Sequence, residues 1–157
     1  MTVEINARPA GVADLGEVTR LCAEAIDELR PRRGGAVWSQ REARAEPLDA
    51  SLRETMDAGL LAVVCIDGTT VGYAGVDLVE LHDGSVLGQV TDIYVAPDAR
   101  GVGCGEALLG LVEGWCTEQG CIGIDSIALP GDRETKNFFE TFGLTARALR
   151  VHRSLQD

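Results

Sequence analysis

The chain has 157 residues, a net charge of −11 and 45% hydrophobic residues, values typical of one soluble globular domain over residues 1–157. The acidic balance argues against nucleic acid as a partner, because phosphate binding needs clustered Lys and Arg, and favours simple solubility or a cationic partner. No apolar run is long enough for a membrane helix, and the first ten residues lack a signal-peptide pattern, so we expect no membrane partner and a cytoplasmic location.

The first half of the chain predicts a strand followed by helices. The stretch "TVEINARPA" alternates as a strand does, and apolar residues then recur at helical spacing over residues 12–29. Pro31, Gly34 and Gly35 interrupt this pattern, which predicts a loop over "RPRRGGAVWSQREARAEP". A short helix is predicted over residues 48–57.

The second half predicts a strand meander, two more helices and two more strands. The stretches "LLAVVCI", "VGYAGVDLVEL" and "VLGQVTDIYV" are strands joined by the turns "DGTT" and "HDGS". After a helix through Glu118, we expect "IGIDSIAL" to lie parallel to "VTDIYV" through a right-handed crossover. The helix "DRETKNFFETF" and a closing strand "LTARALRVHRSL" follow. The order β-α-α-β-β-β-α-β-α-β predicts a three-layer α/β/α fold with a mixed, mostly antiparallel sheet.

The cysteines predict neither disulfides nor a metal site. An odd number without any CxxC pair argues against a disulfide framework and against zinc. Most lie in apolar runs, where cysteine is usually a small core residue. The five are Cys22, Cys65, Cys104, Cys116 and Cys121.

Three alternating glycines, Gly101, Gly103 and Gly105, stand where a strand leads into a helix, in "VAPDARGVGCGEALLG". Unpaired N–H groups at a helix start bind phosphate, and glycines allow its close approach. A nucleoside-triphosphate loop is excluded because no Lys and Ser/Thr follow at the required place. A dinucleotide fingerprint stays open as an alternative, although the glycines run GxGxG and five residues separate Val95 from Gly101.

Val95, Arg100, Gly103 and Gly105 stand at the spacing of another phosphate loop, and the stretch resembles that of the GNAT superfamily of acetyl-CoA-dependent N-acetyltransferases. "VTDIYVAP" looks like the family's splayed fourth strand and "DRETKNFFETFGL" like its fourth helix, so the likeness covers nearly the whole chain. It implies a GNAT-like fold with a parallel, splayed strand pair in the centre of the sheet. It also implies direct acetyl transfer from acetyl-CoA to a primary amine in a ternary complex.

The resemblance assigns the coenzyme to backbone groups. Ile93 and Val95 are implied to pair with pantetheine amides, and the Val95 N–H to stabilise the oxyanion formed on attack. Backbone N–H groups are implied to hold the pyrophosphate at Arg100, Gly101, Val102, Gly103, Cys104, Gly105 and Glu106.

Strand alternation places Asp92 and Tyr94 on the face opposite Ile93 and Val95, where the family often carries its base. Asp92 is therefore the leading candidate for the base, directly or through water, unless it merely pairs with an arginine. Glu80 and His82 are alternatives near the preceding turn.

The chain departs from the family pattern in its last helix. Phe139 stands where the family usually carries a tyrosine acid, and Asp132 stands at its asparagine position. A coenzyme thiolate leaves tolerably without an acid, and Tyr94 or Ser126 are the candidate substitutes. Asp132, Lys136 and Phe139 are expected to share a helical face toward the coenzyme. Lys136 is then either a phosphate ligand, a counter-charge to Asp132 or a surface residue.

Two functions follow from these residues. One is an active N-acetyltransferase for a small-molecule or peptidyl amine; the acidic balance favours a cationic acceptor, whereas Arg30, Arg32 and Arg33 leave anionic acceptors open. The other is a degenerate coenzyme-A-binding or partner-binding module that lost catalysis with the tyrosine. Trp38 either lines the acceptor site or anchors its loop. A homodimer is compatible with the fold, without an interface visible in the sequence.

Overall fold

A five-stranded sheet with helices on both faces organises residues 2–156, the part of the chain described by this computed structural model. Two short 3-10 turns, Val12–Asp14 and Pro97–Ala99, accompany the main elements. The elements are β1 (Ile5–Pro9), α1 (Leu15–Leu29), α2 (Gly35–Arg41), α3 (Leu48–Ala58), β2 (Leu60–Ile66), β3 (Thr69–Glu80), β4 (Val86–Val95), α4 (Cys104–Glu118), β5 (Cys121–Asp125) and α5 (Arg133–Thr141).

The strands lie in the order β1-β2-β3-β4-β5. Neighbours are antiparallel except β4 and β5, which run parallel. Helices α1 and α3 cover one face through a cluster that includes Leu21, Leu52 and Tyr73. Helix α4 covers the other face through Leu108 and Val112. The predicted α/β fold class and three layers are confirmed, and the burial of β2 on both faces explains its unbroken apolar sequence.

The predicted closing strand is wrong. Residues 144–156 form neither helix nor strand, so β5 is the last strand of the sheet within residues 2–156. The parallel pair consequently lies at the edge of the described sheet and not in its centre. Apolar residues do alternate in this segment, but no strand within residues 2–156 pairs with it.

The predicted loop before α3 contains the short helix α2. Gly34 adopts a positive φ of 85° before this helix, and Gly35 is buried against the preceding turn. A Cβ at Gly35 would overlap the carbonyl oxygen of Leu29. The two glycines therefore form a tight turn that leads into α2. The sequence pattern predicted a loop at this position. No helix within residues 2–156 is long and apolar enough to cross a membrane.

Candidate functional site

Strands β4 and β5 diverge, and the gap between them forms the centre of the candidate site. Their pairing runs from Val86 opposite Cys121 to Gln89 opposite Asp125, where β5 ends. Strand β4 continues for six further residues, to Val95, and over this stretch it pairs only with β3 within the described chain. The splay predicted from the sequence is therefore present.

The backbone amides of Ile93 and Val95 face this gap. Val95 lies opposite Gly72 of β3, and the Ala96 N–H donates to the Val71 carbonyl at 2.8 Å. That bond makes Val95 and Gly72 a non-hydrogen-bonded pair, so the Val95 amide points away from β3. Alternation along the strand gives Ile93 the same direction. Two N–H groups two residues apart are thus presented where β5 has left the sheet.

A β-bulge at Thr91 sets which side chains reach each face. Gly75 pairs with Asp92 but Val76 pairs with Val90, which leaves Thr91 as the extra residue of β4. Val90 packs on the α4 side, whereas Asp92 contacts Tyr73 on the α1 and α3 side. The next residues alternate as predicted: Tyr94 packs with α1, while Ile93 and Val95 pack toward α4.

Asp92 is bound to a buried arginine that the sequence did not point to. Arg44 donates from Nε to Oδ2 at 2.7 Å and from Nη2 to Oδ1 at 2.9 Å. The Tyr73 hydroxyl donates to Oδ2 at 2.8 Å, and the Thr91 hydroxyl donates to Oδ1 at 2.7 Å. A carboxylate offers about four lone-pair sites, so these donors occupy all of them. The side chains of Arg44 and Asp92 are only 8% and 16% exposed.

The guanidinium of Arg44 is equally saturated. Its Nη1 donates to the Ser51 carbonyl, the Ser51 hydroxyl and the Thr55 hydroxyl, and its Nη2 donates also to Thr91. Burial lowers the pKa of Arg44, but the hydrogen bond and charge of Asp92 outweigh it, so this pKa lies above its ordinary value. Of the two readings that the sequence left open for Asp92, the geometry supports an ion pair.

Gly75 provides the space for this pair. A Cβ at that position would lie 2.6 Å from Asp92 Oδ1 and 2.9 Å from Thr91 Oγ1, and would also meet Arg44 Nη2. Any side chain at residue 75 would therefore displace the ion pair. Sequence patterns could not reveal the group, because Arg44 and Asp92 are 48 residues apart and Arg44 lies outside every helix and strand.

A cleft of about 340 Å³ opens beside the ion pair. Its walls come from β4, α1, α2 and the chain after β5. Trp38, Tyr94, Ser126 and Asp132 line it together with Asp92.

Glu80 and His82 do not line the cleft. Glu80 pairs with Val86 at the start of β4, and Val95 is at the other end of the same strand. The structure therefore separates these two alternative bases from the gap.

The glycine loop leads into α4 next to the gap, and its glycines have different roles. Gly101 and Gly103 have positive φ angles of 84° and 103°, conformations that favour glycine. Gly105 lies inside the helix, where a Cβ would be 3.2 Å from the Phe138 ring of α5. The first backbone bond of α4 runs from the Ala107 N–H to the Gly103 carbonyl at 3.0 Å. The N–H groups of residues 104–106 precede it and are free of helical bonds.

Arg100 holds the end of β4 with its side chain. Its Nε donates to the Val95 carbonyl at 2.8 Å, and its Nη2 donates to both carboxylate oxygens of Glu28. The guanidinium lies over the Tyr94 ring, 5.4 Å from its centroid. Burial raises the pKa of Tyr94, with the Glu28 charge adding and Arg100 opposing. The Arg100 N–H donates to the Pro97 carbonyl at 3.4 Å, so phosphate binding by this amide stays a prediction.

In and beside α5 the three predicted residues differ in burial. Asp132 is buried and accepts from the N–H and hydroxyl of Thr135, which caps the helix. Phe139 is also buried. Lys136 is exposed and pairs with Glu140 at 3.8 Å. Lys136 therefore pairs with Glu140 and not with Asp132 in this structure, and its role as a phosphate ligand stays a prediction.

Comparisons with known proteins agree with this geometry. The Acetyltransferase (GNAT) family profile matches residues 23–144. Aminoglycoside N(6')-acetyltransferase type 1 of Stenotrophomonas maltophilia is 36% identical over 89 residues, which cover 54% of this chain. The aligned part spans 58% of that relative.

Solved structures share the fold at low identity. AAC(6')-Iy, in complex with a bisubstrate analogue, superposes with a TM-score of 0.74 at 17% identity, over 98% of this chain and 99% of that one. A tetramutant of the BH1408 protein of Bacillus halodurans gives 0.81 at 17% identity, over 96% and 99% of the two chains. An aminoglycoside acetyltransferase from an uncultured soil sample, in complex with sisomicin, gives 0.70 at 19% identity, over 98% and 95%.

Proposed function

The chain belongs to the GNAT acetyltransferase family, and we propose that it transfers an acetyl group from acetyl-CoA to the primary amine of a small molecule by direct attack. The observation that carries this proposal is the juxtaposition of two structures at one end of β4. The amides of Ile93 and Val95 face the gap left by β5, and the glycine loop begins a few residues later.

The residues present fit acetyl-CoA. An extended pantetheine arm takes the place of a strand beside Ile93 and Val95, and the Val95 N–H stabilises the oxyanion of the thioester. The pyrophosphate lies at the start of α4, where N–H groups and the helix dipole attract anions. Nothing lies within 4 Å of a Cβ built on Gly101, so the loop is open on that side.

Asp92 is proposed as a positioning residue and not as the base. Its lone pairs are occupied by Arg44, Tyr73 and Thr91, so it accepts a proton only by giving up a bond. The amine therefore loses its proton to water in the cleft. The deprotonation costs roughly 4 kcal/mol for an amine of pKa near 10 at pH 7. The ion pair keeps the acceptor face of β4 fixed while this occurs.

The coenzyme thiolate leaves without a strong acid. Phe139 has no proton to donate. Tyr94 lines the cleft, and the raised pKa of its hydroxyl keeps it protonated at neutral pH. Tyr94 is accordingly the proposed donor if one is used, because a thiol of pKa near 8.5 also leaves as the thiolate.

The acceptor is proposed to be a small amine. The relative at 36% identity is an aminoglycoside acetyltransferase, which supports a cationic acceptor, as does the chain's net charge of −11. The acidic side chains that line the cleft, however, are hydrogen-bonded to other side chains of this protein and are not free to bind a cation: Asp92, Asp132 and Glu42. An acceptor screen should therefore contain aminoglycosides, polyamines and amino acids. The cytoplasmic location stays a prediction.

Calorimetry with acetyl-CoA tests the proposal, with Val102→Glu against Val102→Gln as the matched pair. Val102 is half exposed in the loop and has no positive φ, so both variants keep the backbone, and they differ by one charge. We expect the glutamate to weaken binding by about tenfold or more, through repulsion of the phosphates. No binding by the unmodified protein, or equal affinities of the two variants, would contradict the phosphate site.

A thiol-release assay then separates the two functions. Turnover with any amine of the screen supports the transferase. Binding of acetyl-CoA without turnover, together with Phe139 at the acid position, would favour the degenerate coenzyme-binding module.

A further inference from the structure

Two cysteine side chains meet where α4 ends and β5 begins. Gly120 follows α4 with a positive φ of 76°, and its N–H donates to the Thr117 carbonyl at 3.1 Å. At helix ends of this kind, the side chain directly after the glycine commonly contacts the side chain four residues before it. These two positions are occupied by Cys121 and Cys116. The turn out of the helix therefore brings together two thiols that form no CxxC pair in the sequence.

The two sulfur atoms lie side by side over Gly88 of β4. A Cβ built on Gly88 would be 2.6 Å from Cys116 Sγ and 3.7 Å from Cys121 Sγ. The three atoms nearest to that point all belong to these two cysteines. Both are free thiols. The absence of a side chain at Gly88 thus provides the space in which α4, β4 and β5 hold the two sulfur atoms together.

The two thiols differ in burial, which sets the order in which they react. Cys116 is 2% exposed, and burial, with the neighbouring Cys121 thiol adding, raises the pKa of Cys116 to about 12. Cys116 therefore reacts slowly with reagents in solution, because the thiolate is the reactive form. Cys121 is only half-buried, so it is the member of the pair that a reagent reaches first.

We propose that Cys116 and Cys121 form a redox-active pair that closes to an intramolecular disulfide by exchange with a low-molecular-weight disulfide. The Cys121 thiolate attacks one sulfur of this oxidant, forms a mixed disulfide with that half and expels the other half as a thiolate. Cys116 then loses its proton to water, and its sulfur attacks Cys121 Sγ and expels the second half. The two cysteines lose two electrons and two protons, and the small disulfide is reduced to two thiols.

Proximity compensates for the high pKa of Cys116 in the second step. The attack on Cys121 occurs within one chain, between groups that the fold already holds together, and needs no second collision. The new bond joins the last turns of α4 to the first residue of β5, which pairs with Val86 of β4. An excess of a small thiol reverses the reaction. This inference is independent of the acetyl-transfer proposal.

Mass spectrometry of the native protein after incubation with oxidised glutathione tests the pair. We expect each chain to lose two hydrogen atoms, to retain no glutathione and to regain its original mass in dithiothreitol. Digestion at glutamate identifies the bond, because Glu113 and Glu118 place Cys116 in residues 114–118 and Cys121 in residues 119–134. Without reduction, these two peptides should be recovered as one cross-linked species.

Three serine variants assign the steps to individual residues. Cys121→Ser removes the accessible thiol and should lower the yield of cross-link by about tenfold or more. Cys116→Ser should retain one glutathione on Cys121, since no second thiol is present to expel it. Cys65→Ser is the matched control and should form the cross-link at full yield, because the buried Cys65 contacts the Thr70 hydroxyl and not another cysteine. Circular dichroism confirms that each variant is folded.

Two results with the unmodified protein would overturn the proposal. One is a native chain that keeps its reduced mass in oxidised glutathione, and the other is a chain that retains glutathione without forming the cross-link. An equal loss of two hydrogen atoms in Cys121→Ser would overturn it too, because the bond would then join other cysteines.

Discussion

The buried pair of Arg44 and Asp92 gives the sharpest prediction. Replacing Arg44 by Met leaves the Asp92 carboxylate with donors only from Tyr73 and Thr91, and replacing Asp92 by Leu leaves the guanidinium uncompensated. Removing one partner of a buried ion pair costs about 3–5 kcal/mol. For a chain of this size that loss lowers the melting temperature by roughly 6–20 °C.

The double variant, Arg44→Met with Asp92→Leu, should recover most of the lost stability. An apolar pair of similar volume is often as stable as the ion pair that it replaces, because no charge has to leave water. Urea unfolding of the wild type, both single variants and the double variant forms a double-mutant cycle that measures the coupling. Single losses below about 1 kcal/mol would refute the assignment of a saturated, buried pair.

Turnover of the same four proteins tests the role of Asp92. A positioning role predicts that activity falls with the single variants and returns in part with the double variant, as the fold of β4 is restored. If Asp92 were the base, the double variant would be stable and as inactive as Asp92→Leu. That result would refute the positioning role.

Three further predictions concern other residues. Gly75→Ala should lower the free energy of unfolding, measured in urea, by about 1–3 kcal/mol, because the added methyl group clashes with the ion pair. Gly110→Ala, at an open helical position, is the control and should raise it by up to about 1 kcal/mol; equal effects of the two changes would contradict the clash. The pKa of Asp14 is lowered mainly by its hydrogen bond from Arg8, so the stabilisation that the ionised carboxylate gives the fold is present above pH 3.8 and is lost as pH falls through the lowered pKa. Asp14→Asn should therefore flatten the dependence of the unfolding free energy on pH in this acid range, and an unchanged dependence would contradict this. Burial, aided by the Asp92 charge, raises the pKa of Cys22 to about 11, so only about a thousandth of the Cys22 side chains are thiolates at pH 8. Treatment with iodoacetamide followed by mass spectrometry should find Cys22 unmodified in the native protein and modified in urea; rapid labelling of the native protein would contradict its burial.

Local patterns were sufficient for most of the fold. Alternation and helical spacing gave the strand meander and the helices, because burial on a face follows these periods. The glycine loop was also visible, since residues 101 and 103 require the left-handed backbone. Its third glycine is different: Gly105 is small because Phe138 packs on it, and a contact between two helices leaves no local pattern.

The features that were missed are those set by distant contacts. Arg44 reaches Asp92 through the folding of a loop onto the sheet, so no spacing in the sequence connects them. The bulge at Thr91 is also invisible to a period-2 pattern, because it interrupts that period by one residue. Residues 144–155 were predicted as a strand from their alternating pattern, but a strand also needs a neighbouring strand, and local alternation carries no information about one.

The bulge at Thr91 gives β4 one residue more than its pairing with β3 requires. Side-chain face and amide direction alternate together along a strand, so the extra residue decides how residues 92–95 face relative to residues 86–90. If the same residues paired with β3 without a bulge, Asp92 would project into the apolar layer beneath α4, and the amides of Ile93 and Val95 would turn toward β3. A single-codon deletion at position 91 would instead let Gly75 and Val76 pair with consecutive residues of β4, keep both faces of residues 92–95 and remove only the Thr91 hydroxyl from the ion pair. The length of β4 can therefore change by one residue at the bulge without exchanging its two faces.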